Sequence, residues 1–519
     1  MKISLILIPL AALFLSGCLP QRYFPEGEVP PTTTLTSPAP SPESLASFTP
    51  VSEPIPTASA PAEDPSEDLL PSPTPVPVYP LTRYEISARF DYDWNFVSVD
   101  QSVTYTNASG LPISDLLLVV EANRRFDSFR LKSLSWESGD PVEAYQLEFH
   151  RLSIPLSQPL EPGQVIVLNI SYDLNLPEIP SPSAVDRPLP FGYSARQTNL
   201  VDWYPFFPPY LDGTGWVVHD PWFYGEHQVY ELADYEVEIQ MTGVRQNVTL
   251  AASAPAEIDG RTYRYQMEAA RSFALSASNM YTVLSKQVGD VTIYSYAFTF
   301  DSKGGERALI DTAAALELYS QLFGPYPHRS LSVVEADFLD GMEYDGLFFL
   351  SRGFYALFDG SPLGYLTAIA VHETAHQWWY GIVGNNQALE PWLDEALCTY
   401  SELLYYENLY PDLVDGWWEF RVNYQQPSGQ IDGSIYDYNG FVSYRDATYL
   451  RGAQFIHELR GLMGDQAFIS FLQDYISRTT QNRFGLASTG DFFSILTEHT
   501  SADIQSLLDE YFKGSVSGE

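Results

Sequence analysis

The segment that decides the fold is His372-Glu373-Thr374-Ala375-His376, which is followed, after eighteen intervening residues, by Glu395. Residues four apart lie on one face of an α-helix, so His372 and His376 are predicted to direct two imidazole nitrogens at one metal ion. The intervening residues suffice to end that helix, turn and return Glu395 on a second helix. Two His and one returning Glu are a common catalytic zinc set, with a fourth position left for water.

The residues around this segment carry helix signals. Residues 363–383 are rich in apolar side chains and free of proline, which predicts a helix, and Gly384-Asn385-Asn386 predicts its end. Pro391 suits the first turn of the next helix. On that helix Glu402 follows Glu395 by seven residues and therefore lies near the same face, where we expect it to orient a liganding histidine.

A bare H-E-x-x-H motif also arises by chance, so its wider context decides its meaning. Four motifs together resemble the M1 family of zinc aminopeptidases, a gluzincin family: HETAHQWWYG at 372–381, PWLDEA at 391–396, GMEY at 341–344 and YLRGA at 449–453. The family usually has Asn where this chain has Asp394, which neighbours a predicted ligand and is not one. The resemblance implies an α+β multidomain protein, in which a β-rich N-terminal domain precedes a thermolysin-like α/β zinc metallopeptidase domain.

The same resemblance implies the substrate-binding residues Gly341, Met342 and Glu343. This segment is similar to the family's G-x-M-E-N exopeptidase motif, with Tyr344 where Asn is usual. An edge strand here would receive an extended peptide by backbone pairing, and the glycine would allow close approach. Glu343 would then hold the peptide's α-ammonium by a charge-assisted hydrogen bond, which would make the enzyme an aminopeptidase. The alternative for Glu343 is an ordinary solvated acid.

Further site residues are expected from the flanking regions. Tyr449 lies in a segment similar to the family's Y-x-K-G-A, whose Tyr donates a hydrogen bond to the developing oxyanion, and Tyr444 is the alternative. In many M1 enzymes the β-rich domain also supplies a Gln or Glu to the substrate's amino terminus. Gln197 and Asp202 are the candidates for that role, and an aromatic-rich packing surface is the alternative for each.

The N-terminus predicts export and a lipid anchor. Residues 1–18 combine Met-Lys, a short apolar run and Leu-Ser-Gly-Cys, which resembles a bacterial lipoprotein signal peptide with lipidation at Cys18. An ordinary secretory signal with a chance Cys is the alternative. Residues 19–80 are rich in Pro, Ser and Thr and are expected to be a disordered linker. The protein is therefore predicted to be extracytoplasmic and anchored to a bacterial membrane surface through Cys18.

The remaining sequence predicts two folded domains, at 81–284 and 285–519. Segments such as 84–90 and 165–170 alternate between apolar and polar residues, which is typical of antiparallel strands. The formal net charge of −39, from 66 acidic and 27 basic residues, argues against nucleic acid or anionic lipid as a partner. Of the two cysteines, Cys18 is predicted to be lipidated, so no internal disulfide is available and Cys398 is expected to be buried.

The residue types predict hydrolysis of peptides from the N-terminus. One Zn²⁺ per chain, held by His372, His376 and Glu395, would activate a water molecule, with Glu373 as general base and Tyr449 stabilising the oxyanion. A zinc endopeptidase or a hydrolase of non-peptide bonds on the same site stays open, as does a surface-binding lipoprotein without turnover. The sequence does not predict the side-chain preference or the oligomeric state.

Overall fold

The computed structural model describes residues 80–179, 189–244 and 247–513. The predicted signal peptide at 1–18, Cys18 and all of the predicted linker except Pro80 lie outside these residues. Within the described ranges, no helix combines the length and the apolar character that a bilayer span requires.

The first part of the described chain is built from strands. Their bounds are β1 (Thr82–Asp91), β2 (Phe96–Thr106), β3 (Ile113–Val119), β4 (Phe129–Trp136), β5 (Gln146–Glu148), β6 (Arg151–Leu160), β7 (Val165–Asn175), β8 (Gly192–Tyr193), β9 (Thr198–Leu200), β10 (Tyr210–Leu211), β11 (Gly215–Trp216), β12 (Ala233–Thr242), β13 (Thr249–Ala252), β14 (Glu257–Asp259), β15 (Thr262–Ala270) and β16 (Leu275–Ser278). A seven-stranded sheet in the order β14-β15-β12-β1-β2-β7-β4 forms its centre, and smaller sheets of four, three and two strands surround it.

The alternation of apolar and polar residues in the sequence is what forms this sheet. Along β1 every second residue is buried, and Tyr84, Ile86 and Phe90 belong to a core shared by the whole β-rich part. The strand pairs antiparallel with β2 and parallel with β12, so the sheet is mixed, whereas the sequence pattern predicts an antiparallel one. The parallel pair joins strands separated by more than a hundred residues, which local periodicity does not reveal.

The second part begins with a five-stranded sheet. Its strands are β17 (Tyr281–Val288), β18 (Val291–Phe298), β19 (Ser330–Ala336), β20 (Gly341–Tyr344) and β21 (Leu347–Ser351), in the order β17-β18-β19-β21-β20. The predicted domain boundary after residue 284 falls inside β17, because that strand pairs along its whole length with β18. The sheet of the second part therefore starts at Tyr281. As predicted, β20 is an edge strand.

Helices complete the second part. They are α1 (Ser302–Phe323), α2 (Arg352–Ala356), α3 (Tyr365–Ala375), α4 (Trp392–Leu409), α5 (Val414–Trp417), α6 (Phe441–Arg445), α7 (Gly452–Met463), α8 (Asp465–Thr479), α9 (Thr489–His499) and α10 (Gln505–Tyr511). The long helix α1 packs on both α3 and the sheet, and its apolar side chains join those of α3 and α4 in a second core. The two helices that carry the predicted metal ligands are thus held by a continuous apolar interior.

The helix predicted over residues 363–383 is shorter than expected. The α-helix ends at Ala375, and a π-helical segment, Gln377–Ile382, follows with non-helical backbone angles at Trp379 and Tyr380. The carbonyl groups of residues 380–382 all accept hydrogen bonds from Arg271, a fully buried side chain of the β-rich part. The kink is therefore satisfied by a residue distant in sequence, which explains why the local pattern predicts a continuous helix.

Candidate metal centre

The three predicted ligands converge. His372 and His376 lie four residues apart at the end of α3, and Glu395 lies in the first turn of α4. His372 Nε2 is 3.2 Å from His376 Nε2 and 3.2 Å from Glu395 Oε2, and His376 Nε2 is 3.6 Å from the same carboxylate oxygen. All three side chains are buried.

Both imidazoles are oriented so that Nε2 faces the centre. His372 Nδ1 lies 3.0 Å from Glu402 Oε1, and His376 Nδ1 lies 3.2 Å from the carbonyl oxygen of Trp379. Carboxylate and carbonyl oxygens only accept, so each Nδ1 carries the proton and each Nε2 presents a lone pair. The predicted contact between Glu402 and a histidine of the site is present.

This arrangement fits a zinc ion. Two nitrogen lone pairs and one carboxylate oxygen lie close together with no proton between them, so they repel one another. A bound cation would remove this repulsion. Ligands about 2.0–2.1 Å from a tetrahedral zinc ion lie about 3.3 Å from one another, close to the separations of these three atoms.

A closed hydrogen-bond network lies behind His372. Glu402, which is fully buried, accepts from Trp417 Nε1 at 3.0 Å and from Arg421 Nε and Nη2, each at 2.9 Å, in addition to His372. Burial raises the pKa of the Glu402 carboxyl, but Arg421 and the hydrogen bonds outweigh burial and lower it. Glu402 is therefore a fixed anion that orients the His372 ring.

Glu373, the predicted base, lies beside the metal ligands and against Gly341. Its Oε2 is buried and has no hydrogen-bond partner among the described residues. A Cβ at position 341 would overlap the Glu373 carboxylate, so glycine is required there for the strand to approach this closely. Burial, together with the nearby Glu343 and Glu395, raises the pKa of the Glu373 carboxyl well above its ordinary value. The carboxyl is thus poised to exchange a proton.

Glu343 is fixed by an amide that the sequence did not single out. Gln387 Nε2 donates to Glu343 Oε1 at 3.1 Å and to Asp394 Oδ2 at 2.9 Å. All three side chains are buried. Burial and the adjacent Glu395 raise the pKa of the Asp394 carboxyl well above its ordinary value. Both of its oxygens accept hydrogen bonds, Oδ2 from Gln387 and Oδ1 from the backbone N–H of Glu395.

Tyr449 contacts two of the predicted ligands. Its hydroxyl donates to Glu395 Oε1, and its ring stacks on His372 with the centroids 5.9 Å apart. Tyr444 packs edge-on against Tyr449, and its buried hydroxyl points toward the loop at Gly225. Of the two predicted tyrosines, Tyr449 is thus the one in contact with a ligand.

A cavity of about 410 Å³ joins these residues. Gly341, Met342 and Glu343 line it along the edge strand, and Tyr224 and Glu226 line it from the β-rich part. This volume is in the range of small-ligand pockets.

The candidates Gln197 and Asp202 are wrong for this cavity. Gln197 is enclosed in a buried network, in which its amide donates to Asn199 and Tyr281, and Asp202 accepts from Tyr230 at 2.6 Å. Neither lines the cavity, whereas Glu226 of the β-rich part does. The sequence offers no signal for Glu226, because it comes from a loop brought to the site only by the fold.

The comparisons agree with this geometry. Residues 307–511 match the family model described as the peptidase family M1 domain. The chain contains an M1 peptidase domain. The match covers both metal-ligand helices and Tyr449.

Relatives of the M1 domain are named as aminopeptidases. The chain is 29% identical over 229 residues to aminopeptidase M1-D of Oryza sativa subsp. japonica, which covers 41% of this chain and 26% of the relative. It is 26% identical over 295 residues to aminopeptidase N of Lactobacillus helveticus, covering 51% of this chain and 34% of the relative. The chain thus spans about a quarter to a third of the length of these relatives.

Solved structures share the fold over both parts. An M1 zinc metallopeptidase from Deinococcus radiodurans superposes with a TM-score of 0.57 at 18% identity, covering 84% of this chain and 94% of that one. A mutant of the same protein, solved with a Tyr-Ser-Ala substrate, gives a TM-score of 0.59 at 18% identity over 84% and 95% of the two chains. The β-rich part followed by the M1 domain is therefore a fold seen in experimental structures.

Proposed function

We propose that this protein is a zinc-dependent aminopeptidase, which removes residues from the N-terminus of peptides. The observation that carries the proposal is the convergence of His372, His376 and Glu395 beside two further carboxylates, Glu373 and Glu343, in one cavity. The first three supply a zinc site, and the other two supply a base and a partner for an amine. One zinc ion per chain is proposed.

Glu373 performs the proton transfers. Zinc, when bound, supplies a Lewis acid and a water whose pKa falls to about 7. With zinc held by His372, His376 and Glu395, the Glu373 carboxylate would accept a proton from the attacking water and deliver it to the nitrogen of the departing amine. The absence of any hydrogen bond to Oε2 among the described residues supports this role, since the atom is free to receive the proton.

Tyr449 stabilises the oxyanion that forms on the scissile carbonyl. Its hydroxyl donates to Glu395 Oε1 in this structure and lies at the metal centre, where a small rotation turns it to a substrate oxygen. One such donor contributes about 3–4 kcal/mol to a transition state in other enzymes.

Recognition of the free amine makes the activity an exopeptidase one. Glu343 from the edge strand and Glu226 from the β-rich part both line the cavity, and both offer carboxylate oxygens to an α-ammonium. An extended substrate pairs with the edge strand β20, which places its first residue at Glu343. The aminopeptidase names of the relatives and the tripeptide held by the Deinococcus radiodurans mutant support this assignment.

Free and N-acetylated peptides of one sequence test the proposal. We expect the zinc-loaded protein to hydrolyse the free peptide and to leave the acetylated one intact, and chelation to abolish activity that zinc restores. Glu373→Gln should keep one zinc per chain, measured by elemental analysis, and lose about 10²–10⁴-fold in kcat. Cleavage of the acetylated peptide would instead indicate an endopeptidase, and the absence of any turnover would indicate a binding lipoprotein.

The lipid anchor is a separate proposal. Cys18 follows a lipoprotein-like signal, and acylation there would hold the protein at a bacterial membrane surface, outside the cytoplasm. Mass spectrometry of the mature N-terminus should find an acylated cysteine as the first residue. A soluble product that keeps an unmodified Cys18 would contradict the anchor.

A further inference from the structure

The cavity wall formed by the edge strand carries one more acid than the proposed reaction uses. Asp340 directly precedes β20 and lines the cavity together with Gly341, Met342 and Glu343. Its carbonyl oxygen accepts a hydrogen bond from the backbone N–H of Ser351 in β21 at 2.9 Å, so the sheet fixes its position. Asp340 is exposed to solvent within the cavity, and its carboxylate has no part in the proposed proton transfers or in binding of the amine.

The edge strand also sets the direction in which a bound peptide extends. Residues 339–343 line the cavity, whereas Tyr344 is buried in an apolar cluster and does not line it. A peptide whose amine is held by Glu343 therefore extends along β20 toward Asp340. It runs antiparallel to the strand and pairs with its free edge.

The residues along this path follow the order of the reacting groups. Glu343, the proposed partner of the amine, lies at one end. Gly341 comes next and lies against the base, since a Cβ there would overlap the Glu373 carboxylate. In the proposed reaction Glu373 delivers a proton to the departing nitrogen, so the scissile bond lies beside it. Asp340 lies one residue beyond Gly341 and is therefore on the leaving-group side of the scissile bond.

Among the described residues, Asp340 has no ion-pair partner. Two arginines line the same cavity, but each is paired with another acid. Arg421 donates to Glu402 through Nε and Nη2. Arg445 donates to Asp446 through the same two groups. Enclosure by the protein raises the pKa of the Asp340 carboxyl more than the nearby Arg421 lowers it, so negative charge at this position is only partly balanced.

We propose that Asp340 is a specificity-determining residue, which selects peptides with a basic side chain in one of the two residues after the scissile bond. A lysine or arginine side chain there pairs with the Asp340 carboxylate, and an acidic side chain is repelled by it. The net charge of −39 acts in the same direction, since it draws cationic peptides to the protein. This inference rests on the proposed aminopeptidase function and names the substrate class of the same site.

The length of a basic side chain suits this position. A strand advances about 3.3 Å per residue, so Asp340 lies about 10 Å from Glu343 along the wall. An extended peptide covers that distance in about three residues, and the long flexible stems of lysine and arginine also allow the second residue to reach it. Both residues that follow the scissile bond are therefore tested.

The test compares peptides that differ only in the charge of one side chain. Citrulline resembles arginine in length and shape but is neutral, so the amides of leucyl-arginyl-alanine and leucyl-citrullyl-alanine test the second residue. The amides of leucyl-alanyl-arginine and leucyl-alanyl-citrulline test the third. For the zinc-loaded wild type we expect the arginine member of at least one pair to have a kcat/KM about fivefold higher, as for an exposed ion pair. This preference should decline as the ionic strength is raised from about 0.01 M to about 1 M.

Asp340→Asn removes the charge and keeps the backbone. Asp340 has a φ of 67°, in the left-handed region, which asparagine adopts as readily as aspartate. In this variant kcat/KM for the favoured arginine peptide should fall about fivefold, to the value for its citrulline counterpart. Asp127→Asn is the matched control, because Asp127 is an exposed aspartate with a φ of 58° that does not line the cavity. It should leave the preference unchanged.

Each outcome decides the matter. Equal kcat/KM for the arginine and citrulline members of both pairs in the wild type would overturn the proposal, and so would a preference that survives in Asp340→Asn. If Asp340→Asn does not fold, a wild-type preference that does not change with ionic strength would overturn it instead. Turnover of the citrulline peptides in all these cases leaves the aminopeptidase function standing. No turnover of any of the four peptides by the wild type would overturn that function, and the role of Asp340 with it.

Discussion

The carboxylates on the two sides of the His372 ring differ in how many hydrogen bonds their oxygen atoms accept. Behind the ring, the Glu402 carboxylate accepts from His372, Trp417 and Arg421. In front of it, Glu373 Oε2 has no hydrogen-bond partner among the described residues. Both carboxylates are buried in the same interior, so exposure to water does not explain the difference.

This contrast distinguishes a carboxylate that fixes another side chain in place from a carboxylate that takes part in the reaction. A buried anion with all its partners is fixed in place and in charge, and its pKa is lowered. A buried carboxyl with an unpartnered oxygen carries a desolvation cost, and its pKa is raised. Such a cost persists in a native structure where function requires the free atom.

The largest expected effect is on the cavity side, at Tyr449. Tyr449→Phe keeps the ring stacked on His372 and removes the hydroxyl, so the oxyanion loses one donor while the metal ligands stay in place. We expect kcat to fall about 10²–10³-fold, with KM for the same peptide changed much less. Steady-state kinetics on a free dipeptide measure both. Tyr444→Phe is the matched control, and an equal loss there would assign the donor to Tyr444.

A buried carboxylate of the β-rich part gives a third case for the comparison. Glu231 is buried and accepts from Thr82, and burial raises its pKa from near 4.5 to about 7. The folded state therefore favours the protonated acid. Its stabilising contribution is complete below about pH 4.5 and is lost as the pH rises to about 7, by about 3 kcal/mol in total.

Glu231→Gln removes this titration. The free energy of unfolding of the variant, relative to that of wild type, should rise by about 3 kcal/mol between pH 4.5 and pH 8. Denaturant unfolding of both proteins at the two pH values measures it. A difference that is the same at both pH values would show that Glu231 is not the group that titrates.

The three side chains that converge as proposed metal ligands are the part of the site that could be predicted from sequence. His372, His376 and Glu395 lie within 24 residues, so helix periodicity and one turn suffice to bring them together. Glu402 follows by the same periodicity on one helix. Strands such as β1 and β7 were predicted as well, because one face of each is buried and the side chains alternate.

The residues that surround the ligands could not be predicted in this way. Glu226 lies on a loop of the β-rich part that lines the cavity. Arg421 contacts Glu402 from within a π-helical segment. The kink after His376 depends on Arg271, more than a hundred residues earlier in the chain. Each of these contacts is made only in the folded protein, and none leaves a period or a motif in the local sequence.

The side behind His372 is tested through Glu402. Glu402→Gln keeps the size of the side chain and removes the charge, which leaves Arg421 buried without a counter-ion and weakens the hold on the imidazole. We expect zinc affinity to fall about 10–100-fold, measured by competition with a zinc buffer. Glu407→Gln, on the same helix and paired with Arg460 away from the site, is the control. Unchanged zinc affinity would remove Glu402 from the metal centre.

The smallest expected effect is at Gln387. It tests whether the cavity side of His372 also contains a contact that only fixes a side chain in place. Gln387 donates its amide hydrogens to Glu343 and Asp394. It therefore fixes Glu343, the proposed partner of the substrate's amine, as Arg421 fixes Glu402. Gln387→Leu keeps the approximate volume and removes the donor to Glu343 Oε1 and Asp394 Oδ2, while the backbone N–H of Glu395 still donates to Asp394, so Glu343 loses its orientation. We expect KM for free peptides to rise about tenfold, with kcat changed about threefold or less, since the reacting atoms are untouched.

The division between KM and kcat carries the information in that measurement. A contact that only holds Glu343 affects binding of the amine in the ground state and in the transition state alike, which raises KM alone. Gln473→Leu, a variant at an exposed glutamine, controls for the loss of an amide elsewhere. If kcat falls as far as KM rises, Gln387 acts on Glu373 and the metal centre as well. The cavity side would then contain no contact that affects binding alone.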